Sequence, residues 1–187
     1  MASTKAPSQA VNFGPYEVTK QVFLTTPHSF ALVNLKPLLP GHILVCPLHP
    51  HRRLTDLSAD QTADLFTTVQ LAQRLLAKRY FPRDDPEAGS FTVAVQDGKE
   101  AGQTVPHVHV HIIPRKPEDM ARPDDIYVGL SGEEGNVGGA LWDVAKRPVG
   151  GGGMPRVEDE NRKARTEEEM NEEAEAFRAT LREMGIE

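Results

Sequence analysis

Short stretches dense in β-branched and aromatic side chains, punctuated by Pro and Gly, surround one long run of helical periodicity. Segments 22–25, 30–35, 42–47 and 91–96 have this extended character and predict four strands. Between the third and fourth, Leu65, Val69, Ala72, Leu76 and Tyr80 recur at helical spacing. Ser58 and Gln61 precede that stripe in capping-box register, so the main helix is expected over 58–81. A second stripe, Met170, Ala174, Phe177 and Leu181, follows Thr166-Glu167-Glu168-Glu169. It predicts a capped C-terminal helix that docks on the body. Strands, one long helix, then a late helix, with no internal repeat, give an α+β fold and not a βαβ repeat.

The strictest alternation lies at 106–114, Pro-His-Val-His-Val-His-Ile-Ile-Pro. It predicts a strand with His107, His109 and His111 on one face and Val108, Val110 and Ile112 turned to the core. The outer two imidazoles would lie about 13 Å apart along such a strand. A row of that length suits a polyphosphate chain or a metal ion. For the metal reading, His-x-His offers two neutral nitrogens. Cys46, His28, His42, His49 and His51, however, form no Cys-x-x-Cys or His-Glu-x-x-His spacing to complete a ligand set. Ahead of the row, the loop from Gln96 to Val105 brings backbone N–H groups, a Gln amide and a Thr hydroxyl. These are donors suited to phosphate oxygens, although its glycines alone would equally serve an ordinary strand connection.

Composition bounds the setting. A chain of 187 residues with 39% hydrophobic and 26% charged residues can bury one real core. One cysteine excludes an intrachain disulfide. With neither a signal-peptide pattern nor a long apolar run, a soluble intracellular protein is expected, located in the cytoplasm with the nucleus as a second compartment. Cys46 sits in an apolar run and reads as a buried, inert thiol. Residues 1–114 carry 10 basic and 9 acidic side chains, whereas 115–187 carry 11 and 18, so the net charge of −6 belongs to the tail. That balance argues against DNA or RNA binding, and the acidic face of the last helix argues against a membrane helix. The chain divides into a loose polar 1–10, a body at 11–116, a flexible Gly/Pro-rich lid or linker at 117–165 with its glycine run at 150–153, and an acidic helix at 166–187.

Several further groups belong with the histidine row: Phe13-Gly14, Ser29-Phe30-Ala31-Leu32-Val33-Asn34, Lys36-Pro37, Pro40-Gly41-His42, Leu44-Val45-Cys46-Pro47, Ala63-Asp64-Leu65-Phe66, Gln96-Asp97-Gly98, Glu100-Ala101-Gly102-Gln103-Thr104-Val105 and Ile126-Tyr127. As a set they resemble the fragile histidine triad branch of the histidine triad superfamily, over about residues 11 to 130. The resemblance implies an antiparallel sheet and a homodimer whose sheets join across the two-fold. It also implies hydrolysis of dinucleoside polyphosphates, diadenosine triphosphate above all, to AMP and ADP through a nucleotidyl-histidine.

By resemblance His109 is the nucleophile, its second ring nitrogen donating to the carbonyl of His107, and His111 binds the phosphate under attack. Gln103 and Thr104 would hold the leaving polyphosphate, with Gln96 and the backbone at Gly102 and Val105 completing the cradle. Asn34 would contact ribose, His42 support the site from behind, and Tyr127 belong to a lid. Mg or Mn would accompany the substrate, with no tightly bound metal. Pro106 stands where the branch often has a charged residue, Tyr16 where a family histidine touches substrate, and an acidic stretch at 82–89 lengthens one connection. A nucleoside phosphoramidate hydrolase and a nucleotide-dependent signalling protein are the rival readings.

Overall fold

Two strands whose every residue is buried, β4 (Ser29–Val33) and β5 (Ile43–Pro47), run through the middle of a five-stranded antiparallel sheet. The computed structural model describes residues 2–82, 88–131 and 164–187. Ahead of these strands come a small hairpin, β1 (Asn12–Phe13) with β2 (Tyr16–Glu17), and then β3 (Val22–Thr25). After them follow α1 (Ala59–Tyr80), β6 (Ser90–Val95), β7 (Val110–Arg115), α2 (Asp125–Ser131) and α3 (Glu167–Glu183). The order across the sheet is β3-β4-β5-β7-β6. Thus β7 inserts between β5 and β6, pairing Val110 with Val45 and His111 with Leu44 on one side, and His111 with Ala94 on the other.

Because side chains alternate along a strand, a sheet covered on both faces needs apolar residues at nearly every position. Ala31, Val33, Ile43, Val45, Val110 and Ile112 pack beneath the helices, against Leu65, Val69 and Leu76 of α1 and Met170, Phe177 and Leu181 of α3. Phe30, Leu32, Leu44 and Cys46 turn the other way and pack with Phe13, Val18 and Val105. His111 alternates with Val110 and Ile112, so it belongs to this second face. The chemistry therefore sits opposite the helices.

Both helices start as their sequences predict. Ser58 Oγ accepts from the Gln61 N–H while Gln61 Oε1 accepts from the Ser58 N–H, and Thr166 and Glu169 repeat the arrangement for α3. The acidic C-terminal helix shares the main core: the rings of Phe177 and Phe23 meet at 4.9 Å, and Arg178 donates to the carbonyls of Lys20 and Val22.

Three segments differ from the sequence-based expectation. The triad strand begins at Val110 and not at 106, because Val105 O accepts from the His107 N–H and His51 O from the Val108 N–H, which draws 107–109 out of the ladder. The segment 1–10 is not loose throughout. Ser3 and Thr25 exchange both backbone hydrogen bonds, satisfying part of the outer edge of β3, and Thr4 is buried. Within 117–165, residues up to Ser131 are structured. A bidentate Arg115–Asp119 pair fixes the turn after β7, and Ile126 and Leu130 of α2 pack on Ile113. The glycine run at 150–153 and most of the acidic stretch at 82–89 lie outside the described residues. No helix among the described residues is long and apolar enough to cross a membrane.

Truncating Phe177 to Ala empties the contact between α3 and β3. We expect about 3–5 kcal/mol of lost stability, read as a lower urea midpoint with an unchanged slope. A change below about 1 kcal/mol would show that α3 adds little to the core.

Candidate active site

The three histidines of β7 and its approach are buried, and backbone groups fix the proton on each. His107 Nδ1 accepts from the Gly14 N–H at 3.1 Å, leaving Nε2 to carry the proton and donate to Pro47 O at 2.8 Å. His109 Nδ1 lies 2.9 Å from the His107 carbonyl, which can only accept, so Nδ1 is protonated and Nε2 is the basic nitrogen. For His111 the chain is one link longer. The Leu38 N–H donates to His42 Nδ1 at 3.1 Å, so His42 Nε2 carries the proton and donates to His111 Nδ1, also at 3.1 Å. Neutral His111 then presents its own proton on Nε2. The His109 and His111 rings are 4.8 Å apart between centroids, placing a basic nitrogen and an N–H donor on neighbouring rings.

Burial opposes imidazolium, and it dominates here. It pushes His107 and His109 down from an ordinary 6.5 to about 4, although the Pro47 and His107 carbonyls pull the other way. His111 falls well below its usual range through burial first, then through neighbouring His109 and His42. All three are neutral at pH 7.

Phe13 closes the row from the hairpin, its ring 5.0 Å from His109 edge-on and 5.5 Å from His107. The hairpin approaches this closely because of Gly14, whose φ is +56° and where a Cβ would meet the Val105 side chain at 2.5 Å. Phe13, Gly14, Pro47 and Leu38 contribute to the row without having been picked out as site residues. Apart from the conformational signature of Gly14, their part is played by backbone groups or packing, which leave little trace in residue type.

The loop ahead of the row divides its labour. Gly102 has φ +93°, and a Cβ there would sit 2.6 Å from Gln96 Nε2, so these two expected cradle residues are in close contact. The Gln96 amide donates to Leu130 O of α2 at 3.1 Å, and that of Gln103 to Arg52 O at 3.0 Å. Thr104 and Val105 instead line an apolar recess of about 420 Å³ with Gly14, Tyr16, Pro50 and Pro106. Thr104 Oγ1 is buried there with no hydrogen-bond partner among the described residues. Asn34 closes the opposite end, its Nδ2 3.3 Å from His42 Nε2 and its Oδ1 accepting from the Lys36 N–H. Of the expected residues, Asn34, His42, His111 and His109 are thus brought together directly. Tyr127 stands on α2 and is 60% exposed.

Cys46 lies on the same face of the sheet, fully buried, its thiol pushed well up by burial. Among the described residues no group of three or more His, Cys, Asp or Glu side chains is arranged to hold a metal ion.

Comparison with known proteins agrees with this geometry. Residues 16–118 match the HIT domain family. A bifunctional bis(5'-adenosyl)-triphosphatase/adenylylsulfatase FHIT from Arabidopsis thaliana is 50% identical over 65% of this chain, and the match spans 65% of that protein's length. An asymmetrical bis(5'-nucleosyl)-tetraphosphatase from Schizosaccharomyces pombe is 43% identical over 87% of this chain and 89% of its own. In three dimensions, the diadenosine triphosphate hydrolase of Plasmodium falciparum, solved with cyclomarin A, superposes with a TM-score of 0.67 at 30% identity. That alignment covers 96% of this chain and 89% of the other. The family match takes in more than half of the sequence and contains the whole histidine row, and on that footing the chain belongs to the HIT domain family.

Proposed function

We propose that the protein hydrolyses dinucleoside polyphosphates, diadenosine triphosphate in preference, to AMP and ADP through a nucleotidyl-histidine on His109. One observation carries the reading: the His107 carbonyl fixes the proton of His109 on Nδ1, so the neutral ring offers its Nε2 lone pair beside the Nε2–H of His111. Each of the three relatives carries the name of a dinucleoside polyphosphate hydrolase, two of them of triphosphates, the Arabidopsis protein being an adenylylsulfatase as well.

The chemistry follows from the charges. A phosphoanhydride repels hydroxide, so a neutral nucleophile and fixed donors lower the barrier. His109 Nε2 attacks the α-phosphorus of one adenylyl group, and the P–O bond to the next phosphate breaks with its electron pair leaving on ADP. Water then attacks the same phosphorus, the N–P bond breaks with its electron pair returning to Nε2, and AMP and a proton leave the neutral ring restored. His111 Nε2–H donates to the oxygens of the phosphorus under attack. Thr104 and Gln103, with the backbone at Gly102 and Val105, take the departing phosphates, and Gln96 braces the loop from below. Asn34 receives the ribose beside His42. An apolar recess adjoining a polar cradle suits a substrate with flat bases on a polyanionic chain.

Mg2+ or Mn2+ enters on the phosphates of the substrate, whose charge it reduces. Homodimerisation goes with the same reading: β6 is an edge strand of the sheet with Val93 42% exposed, a surface suited to a second copy. Tyr127 on α2 is the lid residue of this scheme, and cytoplasm with nucleus is the location consistent with a single cysteine.

His109→Ala removes the nucleophile and leaves the donors. Turnover should fall by at least about a thousandfold while substrate still binds, and no phosphorus should appear on histidine when the reaction is quenched and analysed by mass spectrometry. Near-normal turnover would end the assignment.

Thr104→Val separates function from stability. Its hydroxyl has no partner among the described residues, so thermal stability should hold or rise, while kcat/KM drops roughly ten- to a hundredfold. Parallel losses of both would make Thr104 a packing residue.

The pH dependence has a definite sign. Diadenosine triphosphate has no terminal phosphate titrating near neutrality, and His109 is inactivated by protonation. The single-turnover rate should therefore stay level through pH 6.5 and fall only towards about 4. Stability behaves differently. Between 6.5 and about 4 the unfolded chain binds protons that folded His107 and His109 do not, so stability declines as pH falls through this window. A rate that breaks at 6.5 under conditions where the fold persists would contradict the burial of His109.

A further inference from the structure

We propose that Arg165, which lies in the segment leading into α3, is a positioning residue for the active site, holding Asn34 from behind. The inference deepens the function proposed above and rests on that reading for the ribose contact of Asn34.

The segment entering α3 is fastened to the end of β4 by several groups at once. The Arg165 N–H donates to Leu35 O at 3.0 Å, and the guanidinium grips the Asn34 carbonyl through both Nε, at 3.0 Å, and Nη2. Its third nitrogen, Nη1, donates to Glu173 Oε2 at 2.6 Å, and the other oxygen of Glu173 accepts from the Tyr80 hydroxyl at 3.4 Å. The Arg165–Glu173 pair is largely shielded, with each side chain 19% exposed. A planar fork held at one end by a carboxylate and closed at the other on one carbonyl fixes that carbonyl in direction as well as distance.

The carbonyl belongs to the residue whose side chain reaches His42. The same stretch of backbone carries the Lys36 N–H that holds Asn34 Oδ1 at 3.0 Å, so a rotation of the Asn34 peptide releases the side-chain amide from its place beside His42. The line Glu173–Arg165–Asn34 is continuous, running from the carboxylate through the guanidinium to the Asn34 carbonyl. Sequence reading separates 166–187 from the catalytic body. The structure sets the residue just before that helix against the backbone of a site residue.

The test uses the full chain with Arg165→Met and Arg165→Lys, and Asn34→Ala for reference. Two readouts are compared: the ratio of kcat/KM for diadenosine triphosphate over its 2′-deoxy analogue, and the side-chain 15N–1H spectrum of the ligand-free protein, in which the Asn34 Nδ2–H resonance reports the placing of its amide. In Arg165→Met the ribose preference should fall about tenfold, as in Asn34→Ala, and the Asn34 resonance should move. Arg165→Lys keeps the charge towards Glu173 but loses the fork and should lie between. A structural role alone would lower both substrates by the same factor and leave the resonance in place.

A folded Arg165→Met with unchanged preference and unchanged resonance overturns the proposal. If Asn34→Ala does not alter the preference, the ribose assignment fails, and the resonance alone decides: movement in Arg165→Met upholds the positioning role and constancy ends it. Should Arg165→Met not fold, Arg165→Lys decides by the same two readouts.

Discussion

An imidazole becomes a directed reagent only when something other than solvent chooses which nitrogen bears the proton, and here the main chain makes that choice. The Gly14 N–H, the Pro47 and His107 carbonyls and the Leu38 N–H settle His107, His109 and, through His42, His111. The demand for those backbone groups explains features that otherwise look incidental. Residues 107–109 leave the ladder and leave the His107 carbonyl to the next histidine ring, while the β1–β2 hairpin comes down onto the row through a glycine. Backbone donors and acceptors do not titrate, so the choice of nitrogen holds for as long as the rings stay neutral.

The sheet separates two kinds of work. One face is given to α1 and α3 and to aliphatic packing, and it carries the stability. The other takes Phe13, the imidazoles and the loop, where polar groups are buried at a cost that the first face offsets. The body to residue 114 is nearly neutral in sum, so a polyanion would meet aimed N–H groups in a shielded setting and not a broad positive field. Neutral imidazoles suit this division, since burying charged ones would be far more costly.

Much of this was legible in the sequence. Period-two and helical patterns located the five strands of the sheet and the two long helices to within a few residues, apart from the start of β7, because each of these elements buries a face of its own. The residues grouped around the row were legible as well: Asn34, His42, His109 and His111 do meet. What escaped was written in the backbone or in partners remote along the chain. Leu38 and Pro47 act through groups that every residue, or nearly every one, possesses. The bridge from Ser3 to Thr25 depends on the open edge of β3, which local pattern does not reveal. Helix α2 is only 7 residues long, too short for periodicity to register, and is held by Arg115 with Asp119 and by the Gln96 amide. Arg165 reaches a carbonyl 131 positions away, a contact that no local pattern can encode.

The single cysteine has a quieter consequence. Cys46 lies on β5 with no exposed surface, next to the proline whose carbonyl takes the His107 proton, and its thiolate is strongly disfavoured. Peroxide and electrophiles act on thiolates, so the native protein should be indifferent to oxidants that would disable an exposed thiol. Reagent reaches Cys46 only when the centre of the sheet separates, and at that moment the His107 anchor is broken too. The rate of thiol labelling in the native protein is therefore a clock for the opening of the catalytic scaffold, built into the chain without any introduced probe.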